Sequence, residues 1–314
     1  MEDKKGENML SFVIPCYKSE KTIENVVNEI ITLLETRQIN KYEIVLVNDY
    51  SPDNVWAVIK KLTEKNDKIK GISLAKNFGQ HAALLAGYAY CIGDYVISLD
   101  DDGQTPLDSL FQLINKIEEG YDVVYAYYNE IKRTNFRIWG SFIAKKMSEV
   151  MLDAPKNFNG SSFFIARKYV IDEMIKYKNS FPYLLGLVFR VTRNIACIPT
   201  NHRERLIGKS GYSFAKLFSL WMNGFTAFSV KPLRISTFIG LITAGFGFMY
   251  SIITIIKKLL NPNIVVGYSS LICSILITSG MIMIMLGLLG EYIGRIYISI
   301  NNSPQYVIKE KVNI

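Results

Sequence analysis

Three adjacent carboxylates, Asp100, Asp101 and Asp102, follow an apolar, β-prone run in this chain. Because residues two apart on an extended chain point to the same side, Asp100 and Asp102 should share a side with Gln104. Carboxylate and amide oxygens suit Mg²⁺ or Mn²⁺, and proteins hold Mg²⁺ through one or two carboxylates while substrate phosphates complete its shell. The alternative, a helix cap, needs one acidic or hydroxyl group, such as Asp102 or Thr105, rather than three. We therefore expect Asp100, Asp102 and Gln104 to bind a metal–diphosphate.

The sequence around these aspartates predicts alternating strands and helices. Strands rich in Val, Ile and Tyr are expected at 10–17, 42–49, 69–75, 95–100 and 122–128, and helices at 20–35, 53–65, 80–92 and 105–119. This alternation is typical of a parallel sheet with helices on both faces, and we expect the sheet to be complete before Lys231. Ligands of such sheets bind beyond the carboxyl ends of the strands. Four successive strand ends carry polar residues that should meet there: 15–17, 48–49, 76–77 and 100–102.

The C-terminal part of the 314-residue chain is apolar enough for a membrane. Residues 235–256 and 259–290 contain no charged side chain, and about 20 apolar residues suffice for a helix to cross a bilayer. We therefore expect two transmembrane helices. The charged N-terminal sequence MEDKKGENML does not resemble a signal peptide, so we expect the first 230 residues on the cytoplasmic side.

Two further segments, 137–151 and 213–230, have apolar and aromatic residues at helical spacing. We expect amphipathic helices in the membrane interface, with core-facing helices as the alternative. Contacts with anionic membrane lipids would explain the net charge of +8. The sequence has no arginine-rich tract or aromatic–basic motif, so we expect no nucleic-acid partner. The four cysteines show no paired or metal-ligand spacing, which fits free thiols in a reducing cytoplasm.

Five motifs, in this order along the chain, resemble those of family-2 glycosyltransferases with the A-type fold. They are VIPCYKSEKTI, VNDYSPDN, KNFGQHAALLAGYAYCIGDYVISLDDDGQTP, RLIGKSGYSFAKL and LLGEYIGRIY. Within that family the sequence is similar to the polyprenyl-phosphate glycosyltransferases over nearly its whole length. The resemblance implies a mostly parallel α/β nucleotide-sugar-binding sheet. The implied domains are a nucleotide-sugar-binding half (1–130), an acceptor-binding half with interfacial helices (131–232), two transmembrane helices (233–293) and a cytoplasmic tail (294–314).

The resemblance also implies roles for single residues at the nucleotide end of the site. Pro15, Tyr17 and Glu20 would line the nucleotide pocket. Asp49 would accept a hydrogen bond from the base, and Lys76 would lie near the base or a phosphate.

Catalysis and acceptor binding are assigned by the same resemblance. Asp101 would hydrogen-bond the sugar, with a role as general base as the alternative, and Asp102 and Arg205 would also be catalytic. In the RLIGKSGY loop, Arg205, Lys209 and Ser210 would hold the acceptor's phosphate, because basic side chains and closely approaching backbone N–H groups bind anions.

One departure from the family pattern concerns the base. The family usually has Asp-Asp-Gly-Ser where residues 48–51 of this chain are Asn-Asp-Tyr-Ser. The first acid is missing, so the base preference is open; we favour a UDP-sugar, with a GDP-sugar as the alternative. Asp100 would contact the nucleotide sugar as well as the metal.

These features predict an inverting, metal-dependent transfer of a sugar from a nucleotide diphosphate sugar to polyprenyl (undecaprenyl) phosphate. The product would be a lipid-linked monosaccharide for cell-envelope glycan modification. A lipid monophosphate has a second pKa of about 6 and is largely ionised at pH 7, so the acceptor needs no dedicated base. The resemblance implies a multi-pass protein of the bacterial inner membrane with a cytoplasmic catalytic domain; a flippase partner and a homo-oligomer are further expectations.

Three other functions are compatible with parts of the sequence. A processive polysaccharide synthase shares the fold but usually has a Gln-x-x-Arg-Trp motif, and none of Trp56, Trp139 and Trp221 follows an arginine. A hydroxyl-directed family-2 transferase would not explain an acceptor loop joined to two helices. A non-catalytic partner or transport subunit would not explain the intact set of carboxylates.

Overall fold

The computed structural model of the chain describes residues 8–128, 149, 155, 158–179, 182–200, 231–261, 267–301 and 304–314. The predicted interfacial helices at 137–151 and 213–230 lie outside these ranges, apart from the helical residue Glu149. The acceptor loop that follows residue 200 also lies outside them.

One mixed sheet forms the centre of the described structure. Its strands are β1 (Leu10–Cys16), β2 (Tyr42–Asn48), β3 (Ile69–Leu74), β4 (Tyr95–Ser98), β5 (Val123–Tyr128), β6 (Phe164–Arg167), β7 (Ile195–Thr200) and β8 (Ile308–Val312). Their order is β7-β5-β6-β4-β1-β2-β3-β8. The pairs β1–β2, β1–β4, β2–β3 and β5–β7 are parallel, whereas β6 runs antiparallel to β4 and β5 and β8 runs antiparallel to β3. The prediction of a mostly parallel α/β sheet is confirmed.

Helices cover both faces of this sheet. The six helices that do so within the described ranges are α1 (Ile23–Thr36), α2 (Val55–Lys65), α3 (Gln80–Tyr88), α4 (Leu110–Glu118), α5 (Lys168–Ile175) and α6 (Leu184–Val191), with a short 3-10 turn at Leu107–Ser109 before α4. Two further helices, α7 (Lys231–Leu260) and α8 (Tyr268–Ile300), follow in the C-terminal part. The apolar residues of α1, α2 and α4 form one core on one face, and those of α3, α5 and α6 form a second core on the other. Every residue of β1 and β2 is therefore buried, which explains why these strands are mostly apolar rather than alternating.

The C-terminal strand β8 corrects one expectation. The sheet is not complete before Lys231, because β8 pairs with the edge strand β3. Trp56 of α2 donates its indole N–H to Glu310 at 2.9 Å, and Ala75 N–H donates to the carbonyl of Val307 at 2.8 Å. The sequence of β8, IKEKV, is short and rich in charge, so its alternation of half-buried and exposed residues gave too weak a strand pattern to recognise.

Helices α7 and α8 are long and apolar enough to cross a membrane. Their most apolar windows are Leu233–Tyr250, with 18 residues, and Ile277–Ile300, with 24 residues, and neither window is buried against the rest of the protein. Large side chains such as Phe246, Phe248 and Ile284 are among those left exposed. Apolar side chains on this scale need a non-aqueous neighbour.

Candidate functional site

The candidate site lies at the carboxyl ends of β1 and β4. The chain runs from β1 outward through β2 and β3, then returns to place β4 on the other side of β1. Ligands of open α/β sheets bind at such a switch point. The β1–β4 ladder ends at the pair Val13–Ser98, so the two strands separate beyond it. Pro15 pairs with Val47 of β2 but lies beyond the end of the β4 ladder, so its missing N–H leaves no gap in that ladder.

The segment after β4 that carries the three aspartates, residues 100–104, is called the carboxylate turn. Asp101 connects it to the loop after β1. Its Oδ2 accepts a hydrogen bond from the backbone N–H of Tyr17 at 2.9 Å. Burial raises the pKa of Asp101 to about 6, and the charge of Asp100 adds to this shift, whereas the hydrogen bond from the Tyr17 backbone opposes it. The structure thus gives Asp101 a position against the β1 loop; its predicted contact with the sugar stays a prediction.

Asp100 and Asp102 have different partners from Asp101. Gln80 donates its side-chain amide to Asp100 Oδ1 at 2.8 Å, and the Ser162 hydroxyl donates to Asp100 Oδ2. Asp102 Oδ1 accepts from the backbone N–H of Gln104 at 3.0 Å. The three predicted metal ligands therefore lie in one turn. Asp100 and Asp102 do not share the hydrogen-bond partner of Asp101, which contacts the β1 loop.

The donor chemistry of this turn fits a divalent cation that also binds a substrate. Among the described residues, no group of three or more His, Cys, Asp and Glu side chains could hold a metal ion. Two carboxylates and an amide oxygen, Asp100, Asp102 and Gln104, are instead a partial set of oxygen ligands. Mg²⁺ is commonly bound by one or two carboxylates together with substrate phosphates, so the residues present fit a cation that arrives with a diphosphate.

The loop after β1 is fixed by acceptors from neighbouring loops. The N–H of Lys18 donates to Ser51 Oγ at 2.7 Å, and that of Glu20 donates to Asp53 Oδ2 at 2.9 Å. Lys18 has a left-handed φ of 60°, which few non-glycine residues adopt. Tyr17 is 45% exposed at the mouth of the crevice. Because these backbone N–H groups already have acceptors, the loop presents the Tyr17 side chain rather than a row of N–H groups to a ligand.

Asp49 holds the loop that follows β3. Its two carboxylate oxygens accept the N–H groups of Phe78 at 2.7 Å and Gly79 at 2.9 Å, and Asn77 donates its side-chain amide to the Asp49 carbonyl at 3.2 Å. Burial raises the pKa of the Asp49 carboxyl, and the two backbone hydrogen bonds oppose this shift. Asp49 is 3% exposed. The structure shows it as a support for the loop that carries Lys76, whose ammonium lies 5.0 Å from the Phe78 ring centroid; the predicted contact between Asp49 and the base is not tested.

The departure from the family pattern beside Asp49 has a structural role. Asn48 is buried, donates to Ser73 Oγ at 3.0 Å, and accepts the N–H of Ser51 at 2.9 Å. Tyr50 has a left-handed φ of 51° and is 55% exposed. In this turn the amide at 48 bonds inward, and the tyrosine at the position where the family usually has glycine is presented to solvent.

Sequence reasoning did not predict the contacts of several residues that the structure brings to the site. Gln80 and Ser162 contact Asp100, and Asp53 contacts the β1 loop. His81 Nδ1 accepts the backbone N–H of Leu184 at 3.0 Å, and burial lowers the pKa of His81 to about 4. Gln80, His81 and Asp53 lie within the quoted motifs, but the motifs do not reveal these contacts, because each partner is distant in sequence. Arg205, Lys209 and Ser210 lie outside the described residues.

Comparison with known proteins decides the family. The family description "Glycosyl transferase family 2" matches residues 11–175, and "GtrB C-terminal hairpin" matches residues 231–296. The chain belongs to glycosyl transferase family 2. This glycosyltransferase is 32% identical over 305 residues to the uncharacterized glycosyltransferase YkcC of Bacillus subtilis, covering 97% of this chain and 94% of the relative. It is 33% identical over 309 residues to the SfII prophage-derived bactoprenol glucosyl transferase of Shigella flexneri, covering 96% of this chain and 97% of the relative.

Solved structures support the fold of this family-2 enzyme. The glucosyl-3-phosphoglycerate synthase of Mycobacterium tuberculosis, in complex with Mn²⁺, uridine diphosphate and phosphoglyceric acid, superposes with a TM-score of 0.53 at 17% identity, covering 71% of this chain and 78% of that one. The mannosyl-3-phosphoglycerate synthase of Rubrobacter xylanophilus gives a TM-score of 0.50 at 17% identity, covering 69% and 71%. At these identities the likeness concerns the fold.

Proposed function

We propose that this glycosyltransferase moves a sugar from a nucleotide diphosphate sugar to a polyprenyl phosphate in a membrane. The single observation that carries the proposal is the joining of two parts in one chain: a carboxylate turn at the β1–β4 switch point and a hairpin of two exposed apolar helices. The first part suits a nucleotide sugar and the second suits a lipid. The near-full-length similarity to the bactoprenol glucosyl transferase of Shigella flexneri supports the lipid acceptor.

We further propose that the reaction needs a divalent metal, Mg²⁺ or Mn²⁺, held by Asp100, Asp102 and Gln104. When bound with the donor, the cation would neutralise charge that develops on the leaving diphosphate. The chain's own residues place these oxygens: Gln80 and Ser162 hold Asp100, and the turn itself holds Asp102. The Mn²⁺ and uridine diphosphate complex of the Mycobacterium synthase supports the choice of cation class and favours a UDP-sugar over a GDP-sugar.

The proposed transfer is a single displacement with inversion at the anomeric carbon. The bond from that carbon to the nucleotide diphosphate breaks, and a bond to an oxygen of the lipid phosphate forms. An ionised phosphate needs no proton removed, since its second pKa is about 6. Arg205, Lys209 and Ser210 would therefore serve to hold the acceptor in line, and Asp101 would help to place the sugar rather than act as a base.

The membrane assignment follows from α7 and α8. We propose that both helices cross the bacterial inner membrane, with the nucleotide half (1–130) and the acceptor half (131–232) on the cytoplasmic side. Residues 308–312 of the proposed cytoplasmic tail pair with β3, which supports the proposal that the end of α8 and the nucleotide half lie on the same side. A lipid-linked monosaccharide made there would serve cell-envelope glycan modification after transfer across the membrane by a flippase.

The function is tested with purified protein, undecaprenyl phosphate and a panel of UDP-, GDP- and dTDP-sugars. We expect a sugar-phosphate-lipid product from a UDP-sugar, formed with Mg²⁺ or Mn²⁺ and lost in EDTA. Full turnover in EDTA would show the metal assignment to be wrong. Transfer to a glycan hydroxyl but not to undecaprenyl phosphate would favour the hydroxyl-directed alternative.

A further inference from the structure

We propose that Ser162 and Gln80 are positioning residues for Asp100, and that together they set the affinity of the carboxylate turn for its divalent cation. This inference rests on the proposed metal-dependent function. The Ser162 hydroxyl and the Gln80 amide donate to different oxygens of the same carboxylate. The two donors come from the start of α3 and from the segment before β6, so Asp100 is held by two parts of the domain that are far apart in sequence.

Strand register explains how Ser162 reaches Asp100. The antiparallel β4–β6 ladder pairs Tyr95 with Arg167 and ends with Ser98 opposite Phe164. Continuing this register by two residues on each side places Asp100 opposite Ser162, just beyond the end of the ladder, and their side chains are hydrogen-bonded. Strand register therefore brings the two residues close together.

The segment that carries Ser162 is itself anchored by aromatic packing. Phe158 lies edge-on to Tyr125 of β5, with ring centroids 5.1 Å apart, and edge-on to Phe189 of α6 at 5.2 Å. Edge-to-face pairs at this distance are favourable. The neighbouring Ser161 forms hydrogen bonds only within this segment among those described: its hydroxyl donates to the Phe163 carbonyl at 3.4 Å and accepts from the Phe163 N–H at 3.2 Å.

Gln80 is held just as firmly. It is the first residue of α3, and the two residues before it, Phe78 and Gly79, donate their N–H groups to the buried Asp49. Gly79 has a φ of +88°, a conformation that a side chain would strain. The start of α3 therefore has a fixed direction, which points the Gln80 amide at Asp100.

Two neutral donors suit a carboxylate that must also bind a cation. A hydrogen bond to each oxygen fixes the rotation of the Asp100 carboxylate, so its remaining lone pairs keep one direction. A lysine or arginine in place of Ser162 would instead neutralise Asp100 and weaken the attraction for a cation. Outer-shell partners of this kind commonly change metal affinity about 10- to 100-fold when they are removed.

The test measures Mn²⁺ binding to the full-length protein in detergent by electron paramagnetic resonance of free Mn²⁺, with UDP present. We expect Ser162→Ala and Gln80→Ala each to weaken Mn²⁺ binding roughly ten-fold, and the double variant to weaken it further. Ser162→Thr, which keeps the hydroxyl, should restore most of the affinity. Ser161→Ala is the matched control and should leave the affinity unchanged, because its hydroxyl does not bond Asp100.

Activity measurements separate positioning from a general structural defect. The apparent Mn²⁺ constant for turnover should rise in Ser162→Ala, and the rate at saturating Mn²⁺ should recover toward that of the wild type. Mn²⁺ affinity that is unchanged or tighter in both alanine variants would overturn the positioning role while leaving metal dependence standing. A wild-type protein that binds no Mn²⁺ in the presence of UDP would overturn metal dependence itself, and this inference with it.

Discussion

The carboxyl edge of the sheet and the C-terminal hairpin differ in how their side chains are stabilised. At the sheet edge, polar side chains are held by bonds from several elements: Asp49 by the loop after β3, and Asp100 by α3 and the segment before β6. In the hairpin, large apolar side chains lie exposed. The first region is organised by the protein itself, whereas the second needs a lipid environment. We infer that the donor site is built in advance and that the acceptor side is completed by the membrane.

The largest effect is expected from a substitution in the carboxylate turn. Asp102→Asn removes one charge and should lower turnover by more than about 100-fold, which exceeds the usual cost of losing an outer-shell partner. The fold should persist, since Asp102 is only half-buried. Asp108→Asn is the control, because Asp108 is an exposed carboxylate in the 3-10 turn that follows. Turnover of Asp102→Asn within a few-fold of wild type would show that this carboxylate is not a metal ligand.

The second prediction removes the hairpin but keeps the sheet intact. Replacing residues 231–300 by a flexible Gly/Ser linker should leave nucleotide binding in place and reduce turnover of vesicle-embedded acceptor roughly 100-fold, because membrane attachment raises the effective concentration of the lipid. Ending the chain at residue 230 also removes β8 and its contacts with β3 and Trp56. That shorter fragment should melt several degrees below the linker version. Undiminished turnover by the linker version would mean that the hairpin does not organise the acceptor.

The third prediction concerns the proposed acceptor loop. Arg205→Ala should weaken use of the lipid acceptor about ten- to a hundred-fold, the cost of losing a charge-assisted hydrogen bond of about 1.5–3 kcal/mol. Affinity for the nucleotide sugar should stay nearly unchanged. Arg205→Lys should restore only part of the loss, since lysine cannot reproduce the bidentate contact of arginine. Titrating each substrate separately decides the matter: a defect confined to the donor would move Arg205 out of the acceptor site.

The smallest effect is expected for protein stability, from His81, which joins α3 to α6 through its hydrogen bond with Leu184. The pKa of His81 is lowered to about 4, below its ordinary value of about 6.5. Below pH 6.5 the unfolded chain therefore binds the proton more readily than the native protein. The stability that neutral His81 provides is complete above pH 6.5 and is lost as the pH falls to about 4, an amount on the order of 2–3 kcal/mol.

Thermal unfolding in detergent checks this contribution. His81→Asn keeps a hydrogen-bond acceptor for the Leu184 N–H but does not titrate. Its melting temperature should fall less than that of the wild type between pH 7 and pH 4.5, by roughly 5 °C. Parallel falls in the two proteins would show that His81 does not set the acid sensitivity.

The sequence predicted the parts of the fold that have a strong local pattern. The first five strands and the two apolar helices follow from apolar runs and spacing, and the carboxylate turn follows from the alternation of Asp100 and Asp102. β8 was missed because IKEKV is short and charged. The contacts of Ser162 and Gln80 with Asp100 were not predicted, because they depend on strand register and on the direction of α3. These are properties of the assembled sheet and not of any short segment.

The most direct test of the account compares two acceptors that differ in one group. Purified protein in vesicles is given a labelled UDP-sugar with Mn²⁺ and either undecaprenyl phosphate or undecaprenol, and the labelled lipid is measured for wild type and Asp102→Asn. The account predicts a sugar-phosphate-lipid from undecaprenyl phosphate with the wild type alone, and no product from undecaprenol, because no residue is assigned to remove a hydroxyl proton. Equal transfer to undecaprenol, or undiminished transfer by Asp102→Asn, would contradict it.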